Sequence, residues 1–164
     1  MRLHLRTDRS ASAELPVQLI IALMILAICL GIVYEGLDGY SRARAETLAS
    51  SLARAIDTTA DQVARGGNMT TLMVQVRLDE SNAGRLEWFR IGTGPQFDGI
   101  SYKVKGGQVH QSFVGQPLIK SVDGLYEEPP LELPKGSYLL NLRHVQDTSE
   151  DPADFISVWI VWTG

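Results

Sequence analysis

Cysteine is nearly absent from this sequence, whose 164 residues contain only Cys29. A lone cysteine cannot close an internal disulfide or build a cysteine-based zinc site, so packing alone must hold any folded domain together. Lysine and arginine form no basic block, and the formal net charge is -4. This composition argues against a general nucleic-acid-binding surface, and we expect no nucleic-acid partner.

Motifs of catalysis and cofactor binding are missing as well. The chain contains no G-x-S-x-G, no H-E-x-x-H and no phosphate-binding glycine loop. Neither His110 nor His144 has a local partner at metal-ligand spacing; His144, close to Asp147, is the better candidate, but a structural role is the simpler interpretation. We therefore expect no catalytic residue, no metal ligand and no cofactor, and we interpret the chain as a protein without enzymatic activity.

One acidic segment, residues 144–154 (HVQDTSEDPAD), offers several carboxylates close together in sequence. Calcium prefers oxygen ligands of this kind. The segment lacks the regular alternation and the central glycine of an EF-hand loop, so a solvated loop is the favoured interpretation.

What the sequence does contain is one uninterrupted apolar run, residues 15–34 (LPVQLIIALMILAICLGIVY). At about 1.5 Å per residue, a helix of this length covers roughly 30 Å, the thickness of a bilayer core. A cleaved secretory signal peptide normally has a shorter apolar core, and soluble core helices are rarely apolar over such a length. The run therefore predicts a single transmembrane helix.

The charges on either side of this run predict its orientation. Arginines precede it, and Glu35 and Asp38 follow it. Basic residues favour the cytoplasmic side of a membrane, so we expect the N-terminus in the cytoplasm and the C-terminal part outside.

The residues in front of the apolar run read Ser10-Ala11-Ser12-Ala13-Glu14. With the short basic leader before them and the long apolar helix behind them, they resemble the N-terminus of archaeal type IV pilin-like proteins with a class III signal peptide. From the residues alone, Ser12 and Glu14 also suit the start of a helix, where a cap and a negative charge are stabilising.

The resemblance implies a processed leader and a role for Glu14. Residues 1–9 would be removed by a prepilin-type peptidase between Arg9 and Ser10, with cleavage after Ser10 as the alternative, because the family usually has Gly or Ala where Arg9 stands. Glu14 would then be the fifth mature residue and would pair with the N-terminal amine of a neighbouring subunit, which fixes the axial register.

For function, the resemblance implies a structural subunit, major or minor, of an archaeal cell-surface filament. Its partners would be other pilin-like subunits, the peptidase and membrane lipid. The alternative is a monomeric, single-pass binding module, in which the helix is only a tether for the domain that follows.

Helical periodicity continues beyond the membrane segment, so we predict one long helix over residues 10–65. Gly36 and Gly39 weaken helix formation, and a kink or short break between the two parts is expected. Gly66-Gly67 predicts the end of the helix. An apolar stripe consists of Leu48, Leu52, Ile56, Ala60 and Val63.

Residues 68–164 read as a β-rich domain, which makes the predicted fold class α+β. Six to eight short strands suggest a small antiparallel sandwich or barrel-like domain. Lys105-Gly106-Gly107 predicts a hairpin turn between residues 100–104 and 108–114. The run from Phe155 to Trp162 is apolar on both faces and predicts a central strand, with core positions for Trp159 and Trp162.

Asn68-Met69-Thr70 matches the acceptor sequence for N-glycosylation. It lies directly after the glycine pair, in a predicted loop on the predicted outer side. We therefore regard Asn68 as a candidate glycosylation site.

Overall fold

A computed structural model of the chain describes residues 11–78, 85–122, 125–127, 130–146 and 153–163. The fold class is α+β, as the sequence predicts: one long N-terminal helix precedes a domain of two β-sheets that do not close into a barrel. Residue contacts divide the chain into two units, one ending at Tyr40 and the other beginning at Ser41.

Helix α1 spans Ala11–Arg65 without interruption. The expected break at Gly36 and Gly39 is absent, so the strong helix formers on either side outweigh the low propensity of the two glycines. The helix ends as predicted, because the N–H groups of Gly66 and Gly67 donate to the carbonyls of Gln62 and Ala64 at 3.1 and 3.3 Å. Gly67 has a φ of +84°, a conformation that suits glycine at a helix terminus.

Nine strands follow the helix in the described part of the chain. They are β1 Thr71–Arg77, β2 Leu86–Thr93, β3 Gly99–Val104, β4 Val109–Phe113, β5 Leu118–Val122, β6 Leu125–Glu127, β7 Leu131–Leu133, β8 Ser137–Gln146 and β9 Asp154–Thr163.

The strands form two sheets. The five-stranded sheet has the order β1-β8-β9-β5-β6, and the four-stranded sheet has the order β4-β3-β2-β7. The predicted hairpin is confirmed, since β3 and β4 pair antiparallel. The expectation of purely antiparallel sheets is wrong, because β5 pairs parallel to β9, with Leu118 opposite Ile156. The predicted central place of the last strand is confirmed, since β9 lies between β8 and β5.

The helical part of the second unit shares one hydrophobic core with both sheets. The residues it buries differ from the predicted stripe, since Leu48 and Leu52 lie at the margin and are only partly buried. Alanine is smaller than leucine and lets the helix backbone approach the sheets more closely. The buried positions are Ala45, Ala49, Ala53, Ile56, Ala60 and Val63.

The predicted core positions of the C-terminal tryptophans need correction. Trp162 is 54% exposed, and Trp159 is half-buried. The buried residues of β9 are instead Phe155, Ile156, Ser157 and Val158. Ile156 and Val158 belong to the shared core, whereas Trp159 lies on the opposite face of the sheet, the face that also carries the buried Phe155.

Candidate functional site

The first candidate site is the apolar part of α1. Every residue from Pro16 to Leu37 is exposed. The large hydrophobic side chains in this stretch are between 51% exposed, at Ile21, and 74% exposed, at Tyr34. Among the described residues, this is the one helix long and apolar enough to cross a membrane.

The exposure of this segment extends around the whole helix. Successive residues of an α-helix are about 100° apart, so an unbroken run of exposed apolar residues covers every side of it. Moving one such side chain from water into apolar surroundings is worth about 1.5–3 kcal/mol. Covering this surface with apolar surroundings would therefore be favourable, and by length and composition the segment could span a membrane.

The predicted assembly residues lie at the N-terminal end of this segment. Glu14 is in the first turn of α1, which begins at Ala11. The predicted processing residues, Arg9 and Ser10, lie outside the described residues.

Asn68, the candidate glycosylation site, is exposed in the turn between α1 and β1. Its Oδ1 atom accepts a hydrogen bond from the backbone N–H of Gln146 at 3.1 Å. The next residue, Met69, has a φ of +68°, and its N–H donates to the carbonyl of His144 at 2.9 Å. The acceptor sequence is thus accessible and is fixed against the end of β8.

The side chain of His144 is buried, which suits a structural role, and its acidic partner among the described residues is Asp154. Its side chain is 5% exposed, and Nε2 lies 2.6 Å from Oδ1 of Asp154, whereas Asp147 lies outside the described residues. Its backbone N–H donates to the carbonyl of Thr70 at 3.0 Å. His144 therefore holds the segment after the helix against β8 and the start of β9.

His110 belongs to an aromatic row across the four-stranded sheet. Its ring stacks on Tyr102, with centroids 5.1 Å apart, and Tyr102 stacks on Phe89 at 6.2 Å. Burial raises the pKa of the Tyr102 hydroxyl, Glu46 on the helix raises it further, and Arg54 opposes the shift. The neutral phenol of Tyr102 therefore lies between the rings of Phe89 and His110, and the row packs under α1.

Acidic residues in the described part of the chain do not form a metal centre. No group of three or more histidine, cysteine or acidic side chains suited to a metal ion occurs among the described residues. Most of the acidic segment lies outside them, and its last member, Asp154, binds His144. On the helix, burial raises the pKa of the Asp57 carboxyl, and the negative charge of the neighbouring Asp61 raises it further.

Two tryptophan–arginine pairs lie on the outward faces of the two sheets. On the four-stranded sheet, the Arg90 guanidinium lies 4.6 Å from the Trp88 ring, and its Nε binds Glu132 at 2.9 Å. On the five-stranded sheet, the Arg143 guanidinium lies 5.0 Å from the Trp159 ring. Sequence reasoning missed both pairs. Trp88 and Arg90 lie two residues apart on the same strand, whereas Arg143 and Trp159 meet only because β8 pairs with β9.

Comparison with protein-family models, with curated proteins and with solved structures found no significant match. The function is therefore argued from the chain itself.

Proposed function

We propose that this chain is a pilin-like subunit of an archaeal type IV pilus-like surface filament, assembled through the apolar part of α1. The observation that carries the proposal is that residues 16–34, apolar except for Gln18, are exposed on every side of an unbroken helix. In a filament, copies of this segment pack against one another after leaving the bilayer, so the same surface is covered in both environments.

The N-terminal residues support the assembly role. Glu14 stands at the start of the apolar segment, where an unpaired carboxylate in lipid is costly. A neighbouring subunit's free N-terminal amine would neutralise it, and opposite charges attract strongly in a low-dielectric bundle. This pairing requires removal of the leader, with a prepilin-type peptidase as the partner, and it requires the N-terminus on the cytoplasmic side.

The competing function is a monomeric binding module tethered by the same helix. Its support is the solvent-exposed tryptophan on β9, which presents a ligand-sized aromatic surface outside the core. The two functions make different demands on the leader, since a tether needs no processing.

Replacement of Glu14 tests the proposal in the source organism. Glu14→Ala should leave the protein in the membrane fraction after alkaline carbonate extraction but abolish filaments in electron micrographs of sheared surface material. Glu35→Ala, at the other end of the apolar segment, is the matched control and should assemble normally. Normal filaments from Glu14→Ala would contradict the assembly role.

Intact mass of the purified membrane protein separates the two functions. Loss of residues 1–9 would leave Glu14 as the fifth residue, as assembly requires. Retention of Met1 would support the tether instead. The same spectrum tests Asn68, since a glycan there adds mass that disappears in Asn68→Gln.

A further inference from the structure

The outward face of the five-stranded sheet carries two tryptophans in neighbouring positions. Trp159 lies opposite Asn141 on β8. Val161 is an extra residue in the pairing, so Trp162 lies opposite Leu139, two residues from Asn141 on the same strand. Positions two apart on a strand are about 7 Å apart on the same face. The two indole side chains therefore stand side by side, Trp162 being 54% exposed.

Polar atoms beside these rings have no partner among the described residues. Asn141 is 8% exposed, and its Oδ1 atom is buried without a hydrogen bond. The Nε of Arg143, two residues along the same strand, is likewise buried without one. Asn141 Oδ1 requires a hydrogen-bond donor, and the N–H group at Arg143 Nε requires an acceptor. A buried polar group without its hydrogen-bond partner costs free energy in a folded protein.

The corresponding pair on the other sheet lacks this feature. There the Nε of Arg90 donates to Glu132 while the guanidinium lies over Trp88. The Nε of the stacked arginine thus has a hydrogen bond on the outward face of the four-stranded sheet and has none on the outward face of the five-stranded sheet. The difference points to a ligand at the face that contains Trp159.

We propose that this face of the five-stranded sheet binds a carbohydrate chain. A sugar hydroxyl donates and accepts hydrogen bonds at once, so it can serve Asn141 Oδ1 and Arg143 Nε together. The apolar C–H face of a sugar ring packs on an indole ring, and two neighbouring tryptophans offer places for two sugar units. Movement of Arg143 away from the Trp159 ring exposes the ring and the guanidinium to the same ligand. The proposal does not depend on filament assembly.

Other occupants fit this face less well. A lipid chain has no hydrogen-bonding groups and would leave both polar atoms unsatisfied. A second copy of the chain is the remaining competitor, and it is distinguished by oligomeric state.

Calorimetric titration of the full chain tests the proposal. The detergent must carry no sugar headgroup, so a zwitterionic amine oxide is suitable. The probes are cellohexaose, chitohexaose, mannohexaose and a hexagalacturonate. We expect binding of at least one, weakened roughly tenfold or more by Trp159→Ala or Trp162→Ala. Arg143→Lys keeps the charge but removes Nε, and it should weaken binding as well.

Trp88→Ala is the matched control, because it removes the tryptophan of the satisfied pair. It should leave the affinity unchanged, and melting curves of all variants establish that they are folded. The proposal is overturned if no probe binds the wild-type chain, or if Trp162→Ala, which alters an exposed side chain, binds as tightly as the wild type. It is also overturned if Trp162→Ala reduces the oligomer size in sugar-free solution, since the face is then a subunit contact.

Discussion

Tyr138, at the start of β8, ties a strand to the turn before it. Its side chain is buried, and its hydroxyl donates to the carbonyl of Pro134 at 2.9 Å. The hydroxyl also lies 3.0 Å from where a Cβ on Gly136 would stand. The Tyr138 hydroxyl thus fixes the turn that precedes β8.

Tyr138→Phe should lower the free energy of unfolding by about 1 kcal/mol, since it leaves a carbonyl without its donor. Burial raises the pKa of this hydroxyl above its usual value of 10.0, so the folded state prefers the neutral phenol. Its contribution is complete below that pH and is lost as the pH rises through the higher folded-state pKa. Melting of the full chain in detergent, followed by near-UV circular dichroism, should show a smaller alkaline loss of stability in Tyr138→Phe. An equal loss in both proteins would contradict the assignment.

At the scale of an element, the alanine positions of α1 determine how closely the helix packs. Ala49 and Ala60 are fully buried, and Ala53 is 2% exposed. Because these positions have no room for larger side chains, their small size is a condition for the shared core.

Ala53→Leu should therefore destabilise the domain by about 1–3 kcal/mol through overpacking. Ser51→Leu adds a similar side chain at an exposed position and should change stability by less than about 0.5 kcal/mol. Thermal melting of both variants in the same detergent measures the difference. Equal melting temperatures would show that the helix does not pack on the sheets through Ala53.

Elements with a strong period could be predicted from sequence. Alternation over residues 71–78 predicts one face that carries Leu72, Val74, Val76 and Leu78; the last three are buried, whereas Leu72 is 38% exposed. The helix was predicted as well, and Ile56, Ala60 and Val63 of its predicted stripe are buried. Leu48 and Leu52 are only partly buried, because close packing prefers the smaller alanines beside them, whereas hydrophobicity alone favours leucine.

Features that depend on strand order could not be predicted. A strand that is apolar on both faces looks the same whether or not its second face is covered, so Trp162 was placed in the core. The contact of His144 with Asp154, and that of Arg143 with Trp159, arise only when β8 and β9 pair. Sequence reasoning named the candidate sites in and before α1 and at Asn68, which stay predictions, but it did not name the face that carries Trp159 and Trp162.

At the scale of the whole molecule, the two units differ in whether their hydrophobic residues are buried or exposed. Residues 41–164 contain all the buried hydrophobic residues described, whereas residues 16–37 expose theirs. The proposed function therefore needs lipid or other copies of the chain around the first unit but not around the second.

A fragment of residues 41–164 should remain soluble and monomeric without detergent and should melt cooperatively. The full chain should need detergent or form assemblies under the same conditions, since its apolar segment would otherwise face water. Analytical ultracentrifugation of both proteins checks this. A full chain that stays monomeric in plain buffer would contradict the membrane and assembly role of the helix.

The position of β9 has a consequence for biogenesis. The strand that is last in the chain lies in the middle of its sheet, between β8 and β5. A nascent polypeptide that has not yet reached Asp154 has no strand to join those two, and its largest sheet cannot form. Pairing of β9 with β8 and β5 is therefore a late step of folding, which follows synthesis of residues 154–163.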